Sequence, residues 1–265
     1  MMNDLPIEAV ISAAREVGDN ALRHWRDLRS GGAIDQWQKA DHSPVSAVDI
    51  ETDRRLKAIL HAIDGDAGWL SEESIDDAAR LNKRRIWCVD PIDGTRDFLR
   101  GRTGWAVSIA LVEDGVPVVG VLYAPARDET WVAARGHGAS VNGRAIRCGN
   151  RTQLAGARVP ATSLPQVDAD LSMVERPNSI ALRMAMVADD RADLVATLIW
   201  GFEWDIAAAS LIVAEAGGRV SDAFGAPLRF NEQRADAFGV IACVPQIHDA
   251  VVARLADRAA ALSPR

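Results

Sequence analysis

Apolar residues recur at three- and four-residue intervals between residues 6 and 28, through Ile7, Val10, Ile11, Ala14, Val17, Ala21 and Leu22. That is the period of an amphipathic helix, and Gly31-Gly32 ends it. The period returns from Ser46 to Ile63 through Val48, Leu56, Ile59, Leu60 and Ile63. Asp49, Glu51 and Asp53 fill its opening turns, where the helix dipole favours negative charge. Two short apolar runs follow, Gly68 to Leu70 and Ile86 to Val89, each passing directly into acidic residues, so each predicts a strand that delivers carboxylates at its end. Val107 to Val112, the turn Glu113-Asp114-Gly115, Val116 to Tyr123 and Glu129 to Ala133 predict an antiparallel meander, because Asp-Gly between apolar runs is a hairpin signal.

The second half alternates again. Ser179 to Val187 reads as helix and Ala192 to Ile199 as extended. Trp204 to Ala216 reads as helix with a Gly217-Gly218 stop, Phe238 to Ala242 as strand and Ile247 to Leu262 as a closing helix. Residues 142 to 177, rich in Gly, Arg, Pro and Ser, are the least periodic stretch and mark a seam. The expectation is one unit over 1–265, made of two packed lobes of about 1–141 and 142–265. Helices and mostly antiparallel strands in blocks predict a layered α+β protein and not a single βαβ winding.

Composition narrows the function classes. A chain of 265 residues with 48% hydrophobic content can bury a large core. Its formal net charge of -7 argues against holding nucleic acid by a general electrostatic footprint. A phosphorylated partner would have to be drawn in locally, by metal ions or a few placed cations. Met1 to Val10 shows neither a basic n-region nor an apolar h-region, and no apolar run approaches the roughly 20 residues a bilayer span needs, which predicts a cytoplasmic protein without a membrane partner. Cys88, Cys148 and Cys243 are odd in number and form no CxxC pair, so they read as small buried apolar residues in a reducing compartment.

Four acidic elements change the picture: Asp49, Glu72-Glu73, Asp90 with Asp93, and Asp205. Each falls at a strand end or in the first turn of a predicted helix, where side chains can project into a common cleft. Taken singly each is ordinary: Glu72-Glu73 reads as a solvated helix start, Asp205 as a cap and Asp49 as dipole decoration. Asp90 and Asp93, across a sharp Pro91-Ile92 bend, can aim at one point, and the Ile92 carbonyl can add a third oxygen. Such hard oxygens suit Mg2+, and the whole set suits two or three ions better than one. Gly94 and Thr95 then open a short helix through Phe98, whose free N–H groups can meet a phosphate. Thr95 can orient or deprotonate the attacking water if a carboxylate lies within reach, and Asp49 is the candidate for that partner.

Taken together, the segments Lys39-Ala-Asp-His-Ser-Pro-Val-Ser-Ala-Val-Asp49, Leu70-Ser-Glu-Glu73, Trp87-Cys-Val-Asp-Pro-Ile-Asp-Gly-Thr95 and the run from Trp204 to Gly218 resemble the inositol monophosphatase superfamily. The resemblance spans nearly the whole chain and weakens between about 142 and 177. It implies an α-β-α-β-α sandwich, Glu72, Asp90 and the Ile92 carbonyl on one metal, and Asp90, Asp93 and Asp205 on a second. It further implies a third, weaker metal near Glu72, activation of water by Thr95 and Asp49, inhibition by lithium, no covalent phosphoenzyme, and a homodimer.

Members that prefer inositol phosphate place a glutamate about seven residues before the last metal-binding aspartate. Here that stretch is Thr197-Leu198-Ile199, without a carboxylate. The continuation Arg96-Asp97-Phe98 is similar to the 3'(2'),5'-bisphosphate nucleotidase, or CysQ-like, branch. Arg96, with Arg100 and Arg102 behind it, could hold a second phosphate in bidentate fashion. The substrate expected is therefore adenosine 3',5'-bisphosphate, held by Gly94, Thr95, Arg96 and Asp205. The alternatives are an inositol, sugar or histidinol phosphate, or a non-enzymatic binding role in RNA metabolism.

Overall fold

The computed structural model describes residues 5–40 and 42–263. Helix α1 (Ile7–Arg29) is followed by a short hairpin of β1 (Gln36–Gln38) and β2 (Pro44–Ser46), and then by α2 (Ala47–Ile63). The periodicity had located both helices but not the hairpin, whose three-residue strands are too short to show a period. Next come β3 (Gly68–Ser71), β4 (Arg85–Asp93), the one-turn helix α3 (Thr95–Leu99), β5 (Ala106–Glu113), β6 (Val116–Ala124), β7 (Glu129–Ala134), β8 (Ala139–Val141) and β9 (Arg144–Ile146). These seven strands form one sheet in chain order, parallel between β3 and β4 and antiparallel elsewhere. The first sheet thus runs on to Ile146, and the loop that joins β8 to β9 is Asn142-Gly143.

Alternation along β4 and β5 explains how helices cover both faces. Trp87, Val89, Val107, Ile109 and Leu111 pack with Val10, Ala14, Val17, Leu56 and Leu60 of α1 and α2. Cys88, Ala106, Ala110 and Val112 point the other way, toward α4 (Ile180–Ala188) and α5 (Glu203–Glu215). On that side the sheet presents small residues, and α5 comes very close: a Cβ on Gly120 would lie 2.7 Å from the Ala208 carbonyl oxygen. Helix α5 is buried from Ile206 to Val213 without a solvent face, because a second sheet lies behind it.

That sheet has the order β12 (Leu194–Ala196), β16 (Ile241–Cys243), β14 (Arg219–Ser221), all antiparallel, and α6 (His248–Leu262) covers it through Val251 and Leu255, with Ile247 just before the helix. Two further pairs complete the chain, β10 (Arg158–Pro160) with β11 (Ser172–Val174) and β13 (Trp200–Phe202) with β15 (Asp236–Phe238). The layers are therefore α1/α2, large sheet, α4/α5, small sheet, α6, the α-β-α-β-α order expected. The single strand anticipated over Phe238 to Ala242 is two, broken at Gly239, whose positive φ of 68° turns the chain from one sheet to the other. Likewise the extended run Ala192 to Ile199 contributes only Leu194–Ala196 to a sheet.

Candidate active site

The acids converge where the large sheet, α2, α4 and α5 meet. The expected bend at Pro91-Ile92 is instead a bulge inside β4: Asp90 faces Ser108 and Asp93 faces Ala106, so Pro91 and Ile92 lie against the single residue Val107. A bulge is one of the few places a central strand accepts proline, and it re-aims the side chains that follow. Asp90 is 1% and Asp93 6% exposed, so both carboxylates lie within the protein. Asp90 Oδ1 accepts the Ile92 N–H at 2.9 Å. Asp93 is gripped by the start of α4, where Ser179 Oγ donates at 2.5 Å and the Ala181 N–H at 2.8 Å to Oδ2.

Asp205 enters from the third position of α5, its Oδ2 accepting the Phe202 N–H at 3.1 Å. Glu72 follows β3, and Lys39 Nζ lies 2.7 Å from Glu72 Oε1 and 2.6 Å from Glu73 Oε1. The Glu72-Glu73 pair is thus no solvated helix start, and Lys39 is its counter-charge. Asp49 is also not dipole decoration: it is 1% exposed and accepts the Ser46 N–H at 2.9 Å and Ser46 Oγ at 2.5 Å on Oδ2. Its Oδ1 lies 3.0 Å from Thr95 Oγ1, which also lies 3.0 Å from the Ile92 carbonyl. Gly94, with φ of 98°, begins α3, and a Cβ there would lie 2.6 Å from the Gly104 carbonyl, so only glycine fits.

The electrostatics follow from this crowding. Burial, and then Glu72, Asp93 and Asp205, hold Asp90 far above the usual carboxylate range; burial, and then Asp93 and Glu72, do the same to Asp205. Burial raises Asp93 too, although the Ser179 and Ala181 bonds oppose it. Burial pushes Asp49 up to about 6 against its hydrogen bonds from Ser46 and Thr95. Glu73 reaches about 7, through burial and then Glu72. Burial alone would lower Lys39, but the two glutamates outweigh it and raise it. Negative charge therefore exceeds the positive charge the protein supplies, and the donors are hard oxygens.

Among the described residues no three His, Cys, Asp or Glu side chains close into a finished cage. An open ring of acids still fits Mg2+, which keeps several waters and takes few protein ligands. The residues present therefore suit a hard divalent cation.

A cavity of about 770 Å³ runs from Asp205 into the second half of the chain. Of the three arginines noted after Thr95, Arg96 lines it. Arg100 is exposed and outside the lining, and Arg102 turns to Asp97 at 3.7 Å. Two arginines the sequence reading missed, Arg176 and Arg183, line the same wall. Arg183 spends its Nε and Nη2 on the backbone carbonyls of Ser179 and Asn178, both at 3.2 Å, and burial followed by Arg176 pushes it down to about 10. The signal for it was available: Arg183 is the one charged residue in α4. Glu203 was missed as well; it is 1% exposed and its carboxylate accepts the Asn231 and Glu232 N–H groups at 2.6 and 2.9 Å, fixing the start of α5.

No helix among the described residues is long and apolar enough to cross a membrane. The chain is 38% identical over 83% of its length to the Nus factor SuhB of Xylella fastidiosa, covering 82% of that protein. It is 31% identical over 86% of its length to the 3'(2'),5'-bisphosphate nucleotidase CysQ of Escherichia coli, covering 95% of it. The solved IMPase of Thermotoga maritima superposes with a TM-score of 0.81 at 30% identity, covering 96% of this chain and 98% of that one. With the Inositol monophosphatase family model matching residues 3–260, the chain belongs to the inositol monophosphatase family, a family of generally metal-dependent phosphatases.

Proposed function

We propose that this chain is a Mg2+-dependent phosphomonoesterase that hydrolyses 3'(2'),5'-bisphosphate nucleotides, taking adenosine 3',5'-bisphosphate to AMP and phosphate. The observation that carries the substrate choice is a wall of arginines beside the acids: Arg96, Arg176 and Arg183 line the cavity into which Asp205 opens. Arg183 is largely buried, its Nε and Nη2 are held by backbone carbonyls, and among the described residues no carboxylate pairs with it, which leaves its Nη1 edge for an anion. A monophosphate ester has one phosphate, which belongs at the acids; a bisphosphate has a second to place on the arginines. Leu198, in the stretch where inositol-preferring members carry a glutamate, lines the cavity with an apolar side chain. The similarity to CysQ supports the same reading.

Glu72, Asp90 and the Ile92 carbonyl would hold one cation, and Asp90, Asp93 and Asp205 a second, with a third near Glu72. Bound there, the cations neutralise the phosphoryl oxygens and polarise the phosphorus. The protein's own part is proton transfer and positioning. Thr95 Oγ1 lies within hydrogen-bond reach of Asp49, so as water attacks and the ester P–O bond breaks, the water's proton passes to Thr95 Oγ1 while the Thr95 proton moves to Asp49 Oδ1. The leaving ester oxygen takes a proton from solvent water to depart as the alcohol. Asp49, at about 6, is ionised and ready to accept that proton near neutral pH. The N–H groups of Gly94 and Thr95, at the start of α3, would be offered to the phosphate.

Assays with Mg2+ on adenosine 3',5'-bisphosphate, inositol 1-phosphate and histidinol phosphate test the reading. The bisphosphate is expected to have the highest kcat/KM. A tenfold preference for inositol 1-phosphate, about 1.4 kcal/mol in barrier, would sink it.

A further inference from the structure

Phe202 stands apart from the other large apolar side chains beside the acids. It is 42% exposed, although it immediately precedes the buried start of α5. Its ring lies parallel to that of Trp204, with centroids 4.5 Å apart and planes 10° from parallel. Trp204 in turn packs on the main core, so the Phe202 ring is backed on one side by a side chain that is itself anchored. Phe202 lines the same cavity as Asp205 and Arg96, and its backbone N–H holds Asp205 Oδ2. Ile199, 70% exposed, lines that cavity as well.

An apolar ring left in water gains by being covered, and a supported aromatic face is best covered by another flat π-system. We infer that Phe202, backed by Trp204, is a stacking platform that selects phosphate esters carrying a planar aromatic group, the nucleobase in the case of a nucleotide. The inference rests on the phosphomonoesterase reading above and deepens it: the arginines recognise a second anion, whereas Phe202 recognises the uncharged part of the ester. Because the ring sits at the junction of β13 and α5, its distance from Asp205 is set by backbone and not by a mobile loop. Stacking of a base on an aromatic side chain corresponds to roughly ten- to a hundredfold in affinity, so the platform would show as selectivity between esters.

The test compares Phe202→Ala and Phe202→Tyr with the unaltered protein. The substrates are adenosine 3',5'-bisphosphate and p-nitrophenyl phosphate, which are aromatic, and glycerol 2-phosphate, which is not. Phe202→Ala is expected to lower the ratio of kcat/KM for each aromatic ester over glycerol 2-phosphate about tenfold, through KM. Phe202→Tyr, which keeps a ring, restores the ratio. A ratio unchanged for both aromatic esters overturns the platform, as does an equal loss on all three, which would assign the ring to packing under the site, since the backbone N–H that holds Asp205 is retained in both variants. If the bisphosphate is not turned over but the ratio falls for p-nitrophenyl phosphate, the nucleotide reading fails and the platform stands. If no ester is turned over by the unaltered protein, both fail together.

Discussion

Replacing Ser46 with alanine removes one hydrogen bond from Asp49 and leaves the rest of the site in place. Ser46 Oγ donates to Asp49 Oδ2 at 2.5 Å, Ser46 is fully buried, and its own N–H continues to donate to the same oxygen at 2.9 Å. A hydrogen bond to a charged group contributes about 1.5–3 kcal/mol. At about 1.4 kcal/mol per pKa unit, its loss raises the Asp49 pKa by about one to two units. If ionised Asp49 accepts the proton that Thr95 relays, activity rises with pH as Asp49 ionises, and the acid limb of the kcat/KM profile moves to higher pH by that amount in Ser46→Ala. Activity near pH 6 falls by about tenfold while activity near pH 9 approaches that of the parent protein. Loss of the helix cap also lowers stability by about 1 kcal/mol, so the profile is measured well below Tm. Ser46→Thr, which retains the hydroxyl, serves as the control. An acid limb that superposes on the parent profile in folded Ser46→Ala would refute a proton-accepting role for Asp49.

Two further outcomes follow from burial. The folded-state pKa of Asp49 is raised to about 6 above its ordinary 3.8. Its contribution to stability is therefore fully present below about pH 4 and is lost as pH rises through 6, a change of about 3 kcal/mol. In EDTA, Asp49→Asn should gain about 2 kcal/mol of this relative to the parent protein between pH 4.5 and 7.5 in urea unfolding, the remainder having been lost below pH 4.5; a gap independent of pH would contradict it. Gly120→Ala should lower stability by about 1–3 kcal/mol, because its Cβ would lie 2.7 Å from the Ala208 carbonyl. An unchanged Tm in a calorimetric scan would show that α5 can retreat from the sheet.

The parts of the fold legible in the sequence are those where one residue class repeats over a long element. Helices α1 and α2 carry an apolar stripe, and β4 to β6 are apolar runs with a turn signal at Asp114-Gly115, so their positions were readable to within a few residues. The strands from β10 to β16 have three residues each, too few for a period, and what holds them is packing against α5 and α6. The acids were legible because each sits at the end of an element that could be located. Arg176 was not, because its segment, between β11 and α4, becomes a wall only when the 177–180 turn closes on Asp97 and Asp93. Asp97 Oδ2 accepts the Asn178 N–H at 3.0 Å, and Asp93 Oδ2 accepts from Ser179 and Ala181. Lys39 lay within a recognised segment, but its reach to Glu72 and Glu73 depends on the β1–β2 hairpin, which leaves no pattern.

The burial of α5 on every side has a consequence for how such a protein can change. A helix with one wet face tolerates replacement along that face, but Ile206 to Val213 are buried at every step, between the two sheets and against α4. A larger residue in Ala207-Ala208-Ala209 cannot be absorbed by outward tilt, since tilting away from β6 drives the helix into β14 and β16. Compensation must come from a smaller partner in a sheet, as at Gly120. The three alanines and Gly120 therefore form a matched set, free to drift only in concert, whereas Arg96, Arg176, Leu198 and Phe202 on the cavity wall can each vary alone.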